Sequence, residues 1–224
     1  MTALAETCDG QLTMGIPLES TLRGTEDRLF KLIDERLEPG ADTAAIDARI
    51  WNLFGEDWAI MATDLSGFSR RVADFGIIHF LQLIWEHKKL LFPIIERHDG
   101  ILVKAEADSL LLLFRQPAQA LACAIAMQHA CHNLESRRVA EEQILLCVGI
   151  GYGRILRVGG TDVFGEEVNG ASKLGEDTAR AREILVTGAV YDAVAAEASV
   201  TFEPLDVARG WPERAFRVVY PEAR

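Results

Sequence analysis

Apolar positions first fall into order at Thr25. Leu29, Leu32, Ile33 and Leu37 share one helical face, and Pro39-Gly40 stops the run. A second helix is expected after Asp42 or Thr43 as cap, where Ile46, Ile50, Leu53 and Phe54 repeat at i, i+4, i+7 and i+8 until Gly55. Residues 1–19 hold Gly, Thr and Pro without periodicity and read as a mobile arm. Two short amphipathic helices must bury their stripes, either on the following domain or in a dimer contact; the pattern fits both.

From about Asp57 the pattern alternates between strand and helix. Trp58 to Thr63 is a buried strand ending at Asp64, followed by the turn residues Ser66-Gly67. A short helix is expected over 69–75 and a long one over Ile77 to Arg97, kinked or restarted at Pro93. Asp99-Gly100 is a turn, after which 101–103 and 110–114 form a hairpin, with Asp108 opening its second strand. Pro117 suits the first turn of a helix whose face is Ala120, Ala124, Met127 and Cys131. A strand follows over 144–150, its far end thinned by Gly149, Gly151 and Gly153. A helix over 168–175, a strand over 184–186, a helix over 189–195 and strands near 200–205 and 215–220 complete the chain. The order predicts an α+β fold: a ferredoxin-like βαββαβ palm with an antiparallel-rich sheet and helices on one face, spanning 57–224 after an N-terminal extension of 1–56.

Composition narrows the class. Of the 224 residues, 49% are apolar and 25% charged, as in an ordinary globular domain. A net charge of −11 repels a phosphate backbone, so nucleic acid is not an expected partner. It does not exclude nucleotides, because divalent cations on carboxylates bridge to phosphate oxygens. Cys8, Cys123, Cys131 and Cys147 show no metal-ligand spacing, and the last three fall in apolar patterns where free thiols pack as small hydrophobes. With no signal-peptide pattern at the start and no membrane-spanning apolar run, the expected location is the cytoplasm.

Two carboxylates draw attention because each borders an apolar strand. Asp64 lies in ATDLSGFS and Asp108 in ADSLLLLF. In a βαββαβ sheet the first strand neighbours the hairpin, so both can converge on one edge. Taken alone, an Asp at a strand end is a turn former, Lys104 a solvated lysine, and Asp162 a turn residue after Gly159-Gly160. Their joint spacing says more. ATDLSGFS, VKAEAD and TDVFGEEVNGASKL follow one another in the order D-x-x-G-F-[ST], K-x-x-x-D, D-x-[FW]-G and V-N-x-A-[SR]-[RK]. From about Asp57 to Tyr220 the chain thereby resembles the class III adenylate and guanylate cyclase domain.

The resemblance implies a lyase for signal transduction that makes cyclic AMP and pyrophosphate from ATP. It makes Asp64 and Asp108 ligands of two divalent cations, Mg²⁺ or Mn²⁺, and places Gly67 and Phe68 in the substrate-binding turn. Lys104 and Asp162 take the purine-reading positions. Adenine offers an acceptor at N1 and a donor at N6, which suit an ammonium and a carboxylate, whereas guanine reverses that polarity. Asn169 takes the ribose-orienting position, and Lys173 one turn later stands where the family usually has Arg. Lysine keeps the charge there but lacks the bidentate fork. Arg209 in VARGW takes the place of a phosphate-binding Lys. A further departure is the hairpin tip Glu106-Ala107, where the family commonly has a permissive Gly; Glu106 is either an outer-shell carboxylate or a solvated turn residue, the second being favoured. Family sites form between two domains, so one chain carrying both residue sets implies a homodimer. Regulation would enter through the N-terminal helices, a partner, or an ion acting at the site. A catalytically weak or silent nucleotide-binding domain is the alternative, suggested by Lys173 and the altered tip.

Overall fold

A twelve-residue strand, β1 (Gly55–Ser66), lies inside the sheet, with β3 paired on one side and β4 on the other. The computed structural model describes residues 25–66, 76–135, 143, 145–197, 199–206 and 212–221. These form two units that divide between Ile50 and Trp51.

In the first unit, α1 (Thr25–Leu37) buries Leu29 and Leu32, while Leu37 is exposed despite its place on the apolar stripe. Asp42 caps α2 (Thr43–Phe54) by accepting from the Ala45 N–H at 3.0 Å. Arg36–Asp47 and Arg49–Glu35 ion pairs, at 2.6 and 2.5 Å, link the two helices. The last turn of α2 belongs to the second unit, and Leu53 is exposed there.

The second unit adds α3 (Ile77–Arg97), β2 (Ile101–Glu106), β3 (Ser109–Phe114), α4 (Pro117–Glu135) and β4 (Leu145–Val158). After β5 (Asp162–Phe164) and α5 (Glu166–Ser172), the chain continues as a π-helical turn over Lys173–Thr178. It closes with β6 (Ile184–Thr187), α6 (Gly188–Val194), β7 (Thr201–Leu205) and β8 (Ala215–Val219). The sheet order is β2-β3-β1-β4-β6-β8-β7, with β5 added to β4. All pairings are antiparallel except β4 with β6. The first four strands give the expected βαββαβ arrangement.

Strand alternation sorts the core onto two faces. Ala59 and Met61 of β1, with Leu112, Phe114, Leu146, Val148 and Ile150, pack under α3, α4 and α6. Trp58, Ile60 and Ala62 face the other way, against Val168 and Ala171 of α5. The expected group of helices thus shares one face, and the short α5 lies on the opposite one.

Several boundaries differ from the sequence reading. β1 runs two residues past Asp64 because β4 pairs with it to Ser66↔Leu145, so Asp64 stands inside the strand opposite Cys147. β4 does not fade at its glycines but continues to Val158. Pro93 does not divide α3, which runs on through it: Leu91, Ile94 and Ile95 are buried around it, and that packing outweighs a lost hydrogen bond. Asp108 lies in the two-residue turn before β3 rather than in the strand. The expected helix over 69–75 falls outside the described residues. No helix among the described residues is long and apolar enough to cross a membrane.

Candidate active site

Asp64 alternates in phase with Ile60 and Ala62, which puts it on the α5 face of the sheet. Its carboxylate is half-buried and accepts from the Leu65 backbone and the Ser109 hydroxyl. Burial raises its pKa above the usual carboxylate range, and those two hydrogen bonds oppose the rise. The two-residue turn Ala107-Asp108 presents the second carboxylate, with Ala107 at φ 47 in the left-handed region. That value explains why a permissive residue suits the tip, and alanine occupies it at a small strain.

Burial pushes the Asp108 carboxyl up to about 6; the charges of Asp64 and Glu176 add to the rise, while its own backbone N–H and Lys88 oppose it. Glu176, on the π-helical turn, is raised by burial and by the charges of Asp64, Asp177 and Glu106, against a Ser172 hydrogen bond. Asp64 and Asp108 are half-buried and Glu176 is exposed; mutually repelling carboxylates of this kind are the donor set that hard divalent cations relieve. Among the described residues no three or more His, Cys, Asp or Glu gather closely enough to hold a metal by themselves. Asp64 and Asp108 therefore fit a cation that keeps positions for water and phosphate oxygens, as Mg²⁺ does.

Lys104 and Asp162 come together elsewhere. A register shift between Leu102 and Lys104 pairs Lys104 with Leu111, whose side chain packs on the α5 face. Lys104 Nζ reaches Asp162 Oδ1 at 3.0 Å, and both side chains remain 38% exposed. The Val163 N–H donates to the same Oδ1 at 3.0 Å, fixing the carboxylate at the start of β5. One strong donor and one strong acceptor thus stand side by side within reach of solvent.

Asn169 and Lys173 are both exposed, one turn apart: the Lys173 N–H donates to the Asn169 carbonyl. Their helix lies almost on the strand backbone. A Cβ on Gly149 would collide with the Ala171 carbonyl and the Gly175 N–H, and one on Gly175 would come within 2.6 Å of the Ala62 carbonyl. The glycines of β4 are therefore a seat for α5 and the π-helical turn. Glu167 fastens that seat by accepting from the Tyr152 N–H at 2.9 Å and the buried Thr187 hydroxyl at 2.7 Å. The turn closes through Ala179 N–H to Leu174 O at 2.7 Å, the five-residue spacing that swings Glu176 toward Asp64.

The structure thus gathers Asp64 with Asp108, Lys104 with Asp162, and Asn169 with Lys173. Gly67, Phe68 and Arg209 lie outside the described residues. Glu106 is exposed at the end of β2, as a solvated turn residue would be. Sequence reasoning missed Ser109, Glu167 and Glu176. The glycine series of β4 announces a backbone pressed against the strand without marking Glu167 as its fastener, and the π-helical turn that redirects Glu176 leaves no comparable mark.

Comparison with known proteins identifies the family. The family model for the adenylate and guanylate cyclase catalytic domain matches residues 55–208. A protein of Rhizobium meliloti (strain 1021) named "Putative adenylate cyclase 3" is 30% identical over 145 residues, 64% of this chain and 24% of that protein. The serine/threonine-protein kinase pkn2 of Myxococcus xanthus is 32% identical over 98 residues, 43% of this chain and 12% of the kinase. The chain thus spans a quarter or less of the length of these relatives. An adenylate/guanylate cyclase/hydrolase structure from Silicibacter pomeroyi superposes with a TM-score of 0.65 at 28% identity, covering 75% of this chain and 99% of that one. Taken with the βαββαβ sheet, these matches establish that the chain belongs to the adenylate and guanylate cyclase catalytic domain family.

Proposed function

We propose that the chain is an adenylate cyclase that converts ATP to 3′,5′-cyclic AMP and pyrophosphate. The observation that carries this reading is the Lys104–Asp162 pair at 3.0 Å. Its ammonium would donate to adenine N1 and its carboxylate would accept from the N6 amine. Guanine at the same place would leave groups unpaired, at about 1–3 kcal/mol each.

In the reaction the ATP 3′-hydroxyl gives up its proton to solvent water, its oxygen bonds to the α-phosphorus, the α–β phosphoanhydride bond breaks, and pyrophosphate leaves with its electron pair. Divalent cations held by Asp64 and Asp108 would supply Lewis-acid activation of the oxygen and neutralise charge on the leaving phosphates. Asn169 orients the ribose so that the 3′-oxygen lies in line with the bond that breaks. Lys173 places a positive charge beside the triphosphate as negative charge shifts to the leaving group.

Two half-sites on one chain support a homodimer. The purine pair links β2 to β5, whereas the carboxylate pair belongs to β1 and the turn before β3, so they are read as two clusters. In a symmetric dimer the carboxylates of one protomer would meet the purine and ribose readers of the other. Ile78, Leu81 and Trp85 form an exposed apolar stripe on α3, which a second copy could cover.

Purified protein assayed with Mg²⁺ or Mn²⁺ and with ATP or GTP, beside Asp64→Ala, tests the reading. Cyclic AMP from ATP, lost in Asp64→Ala, is expected. Cyclic GMP as the main product would overturn the adenine assignment. No product with either metal would favour the second reading, a silent nucleotide-binding domain, for which Lys173 in place of the family's usual Arg is the specific observation.

A further inference from the structure

β4 loses its neighbouring strand partway along one edge. Its parallel ladder with β6 ends at Ile150↔Val186, and its ladder with β5 begins only at Leu156↔Phe164. β1 pairs the opposite edge throughout, from Leu145 to Leu156. Between those two ladders no strand among the described residues takes up this edge, so its backbone groups need other partners.

The Glu167 side chain enters that gap. Its Oε2 accepts from the Tyr152 N–H at 2.9 Å and from the Thr187 hydroxyl at 2.7 Å, which joins the open edge of β4 to the last residue of β6. Thr187 is 1% exposed and follows Leu185 in phase, on the face that Leu174 of the π-helical turn covers. Two glycines make the room. A Cβ on Gly151 would stand 2.9 Å from Oε2, and one on Gly153 would stand 3.0 Å from the Glu167 Cγ.

The seven residues of α5 are too few for a helix to hold its own direction, so these contacts set it. Glu167 is turned inward, whereas Asn169 and Lys173 are exposed, and the helical repeat puts both on the far side of the helix from Glu167.

We propose that Glu167 is a positioning residue for turnover. Its bonds to Tyr152 and Thr187 fix the first turn of α5, and with it the way Asn169 and Lys173 present themselves to the nucleotide. The inference rests on the cyclase reading above, in which Asn169 orients the ribose and Lys173 faces the triphosphate. Glu167 itself points into the sheet and touches no substrate. Misplacing a reacting group by about 1 Å costs up to about 100-fold in rate, so loss of this fastening falls on kcat rather than on nucleotide binding.

Rates of cyclic AMP formation at limiting and saturating ATP, measured well below the melting temperature of each variant, test the proposal. Glu167→Met keeps the length of the side chain and removes the acceptor. It is expected to lower kcat by about 10- to 100-fold while KM for ATP stays within about threefold. Glu167→Gln is expected to restore most of the rate, because one carbonyl oxygen can take both donors without the charge. Thr187→Val removes one donor at similar shape and is expected to lower kcat by about three- to tenfold, with no further loss when combined with Glu167→Met. Should Glu167→Met fail to fold, Thr187→Val decides, with Thr187→Ser expected to recover the rate.

A kcat in Glu167→Met or Thr187→Val equal to that of the unsubstituted protein, a loss carried by KM, or a Glu167→Gln variant as slow as Glu167→Met would overturn the proposal while leaving the cyclase reading in place. No cyclic nucleotide from the unsubstituted protein would overturn that reading, and the inference with it.

Discussion

Lys104 and Asp162 sit 3.0 Å apart, ammonium to carboxylate, joining the β2 edge to the short strand β5. The pair is too exposed for its charge interaction to contribute much to stability. Its consequence is chemical, since it sets a donor beside an acceptor in the order adenine requires. Lys104→Gln or Asp162→Asn is therefore expected to lower kcat/KM for ATP by about 10- to 100-fold, with little change in melting temperature. Steady-state rates with ATP and GTP check this, and an unchanged nucleotide preference in both variants would remove the pair from the site.

The second expectation concerns the seat of α5. Gly149→Ala places a methyl against the Ala171 carbonyl and the Gly175 N–H, whereas a Cβ at Gly160 meets nothing within 4 Å. The first substitution is expected to cost about 1–3 kcal/mol and the second a few tenths. Urea unfolding of the two variants gives the comparison; equal stabilities would show that α5 does not depend on this contact.

How much could be read beforehand follows from where each signal lies. The short apolar run of β1 and the helical repeat of α4 are local, so the βαββαβ order and the buried Ala120, Ala124, Met127 and Cys131 were legible. The pairings Asp64 with Asp108 and Lys104 with Asp162 follow once the spacing is matched to a family. Glu167 and Glu176 were not legible, because each depends on contacts over distance: one on the buried Thr187 hydroxyl, the other on a π-helical turn. β5 is three residues long and depends on its ladder with β4, which no local pattern shows.

A third prediction arises in the core between α3 and α4. His87 is 3% exposed, with Cys131 Sγ 3.4 Å from its Nε2. Burial first, and then the Lys88 charge, lower its pKa from 6.5 to about 4. A depressed folded-state value means the unfolded chain binds the proton first as pH falls. The stability contribution is complete above 6.5 and is lost as pH falls toward 4, by on the order of 3 kcal/mol. His87→Leu is expected to flatten that part of the profile relative to the unsubstituted protein, measured by urea unfolding at a series of pH values. Parallel profiles would show that His87 is not held neutral.

The central claim, a cyclase whose site is shared between two copies, is tested most directly by mixing two inactive variants. Asp64→Ala removes a carboxylate of one half-site, and Lys104→Ala removes a purine reader of the other. Each alone is expected to make almost no cyclic AMP. After subunit exchange at equal concentrations, half the dimers are mixed and each holds one intact site, so about a quarter of the unsubstituted activity is expected. A mixture as silent as its components, with exchange demonstrated, would contradict the shared site; full activity in Asp64→Ala alone would contradict the metal assignment.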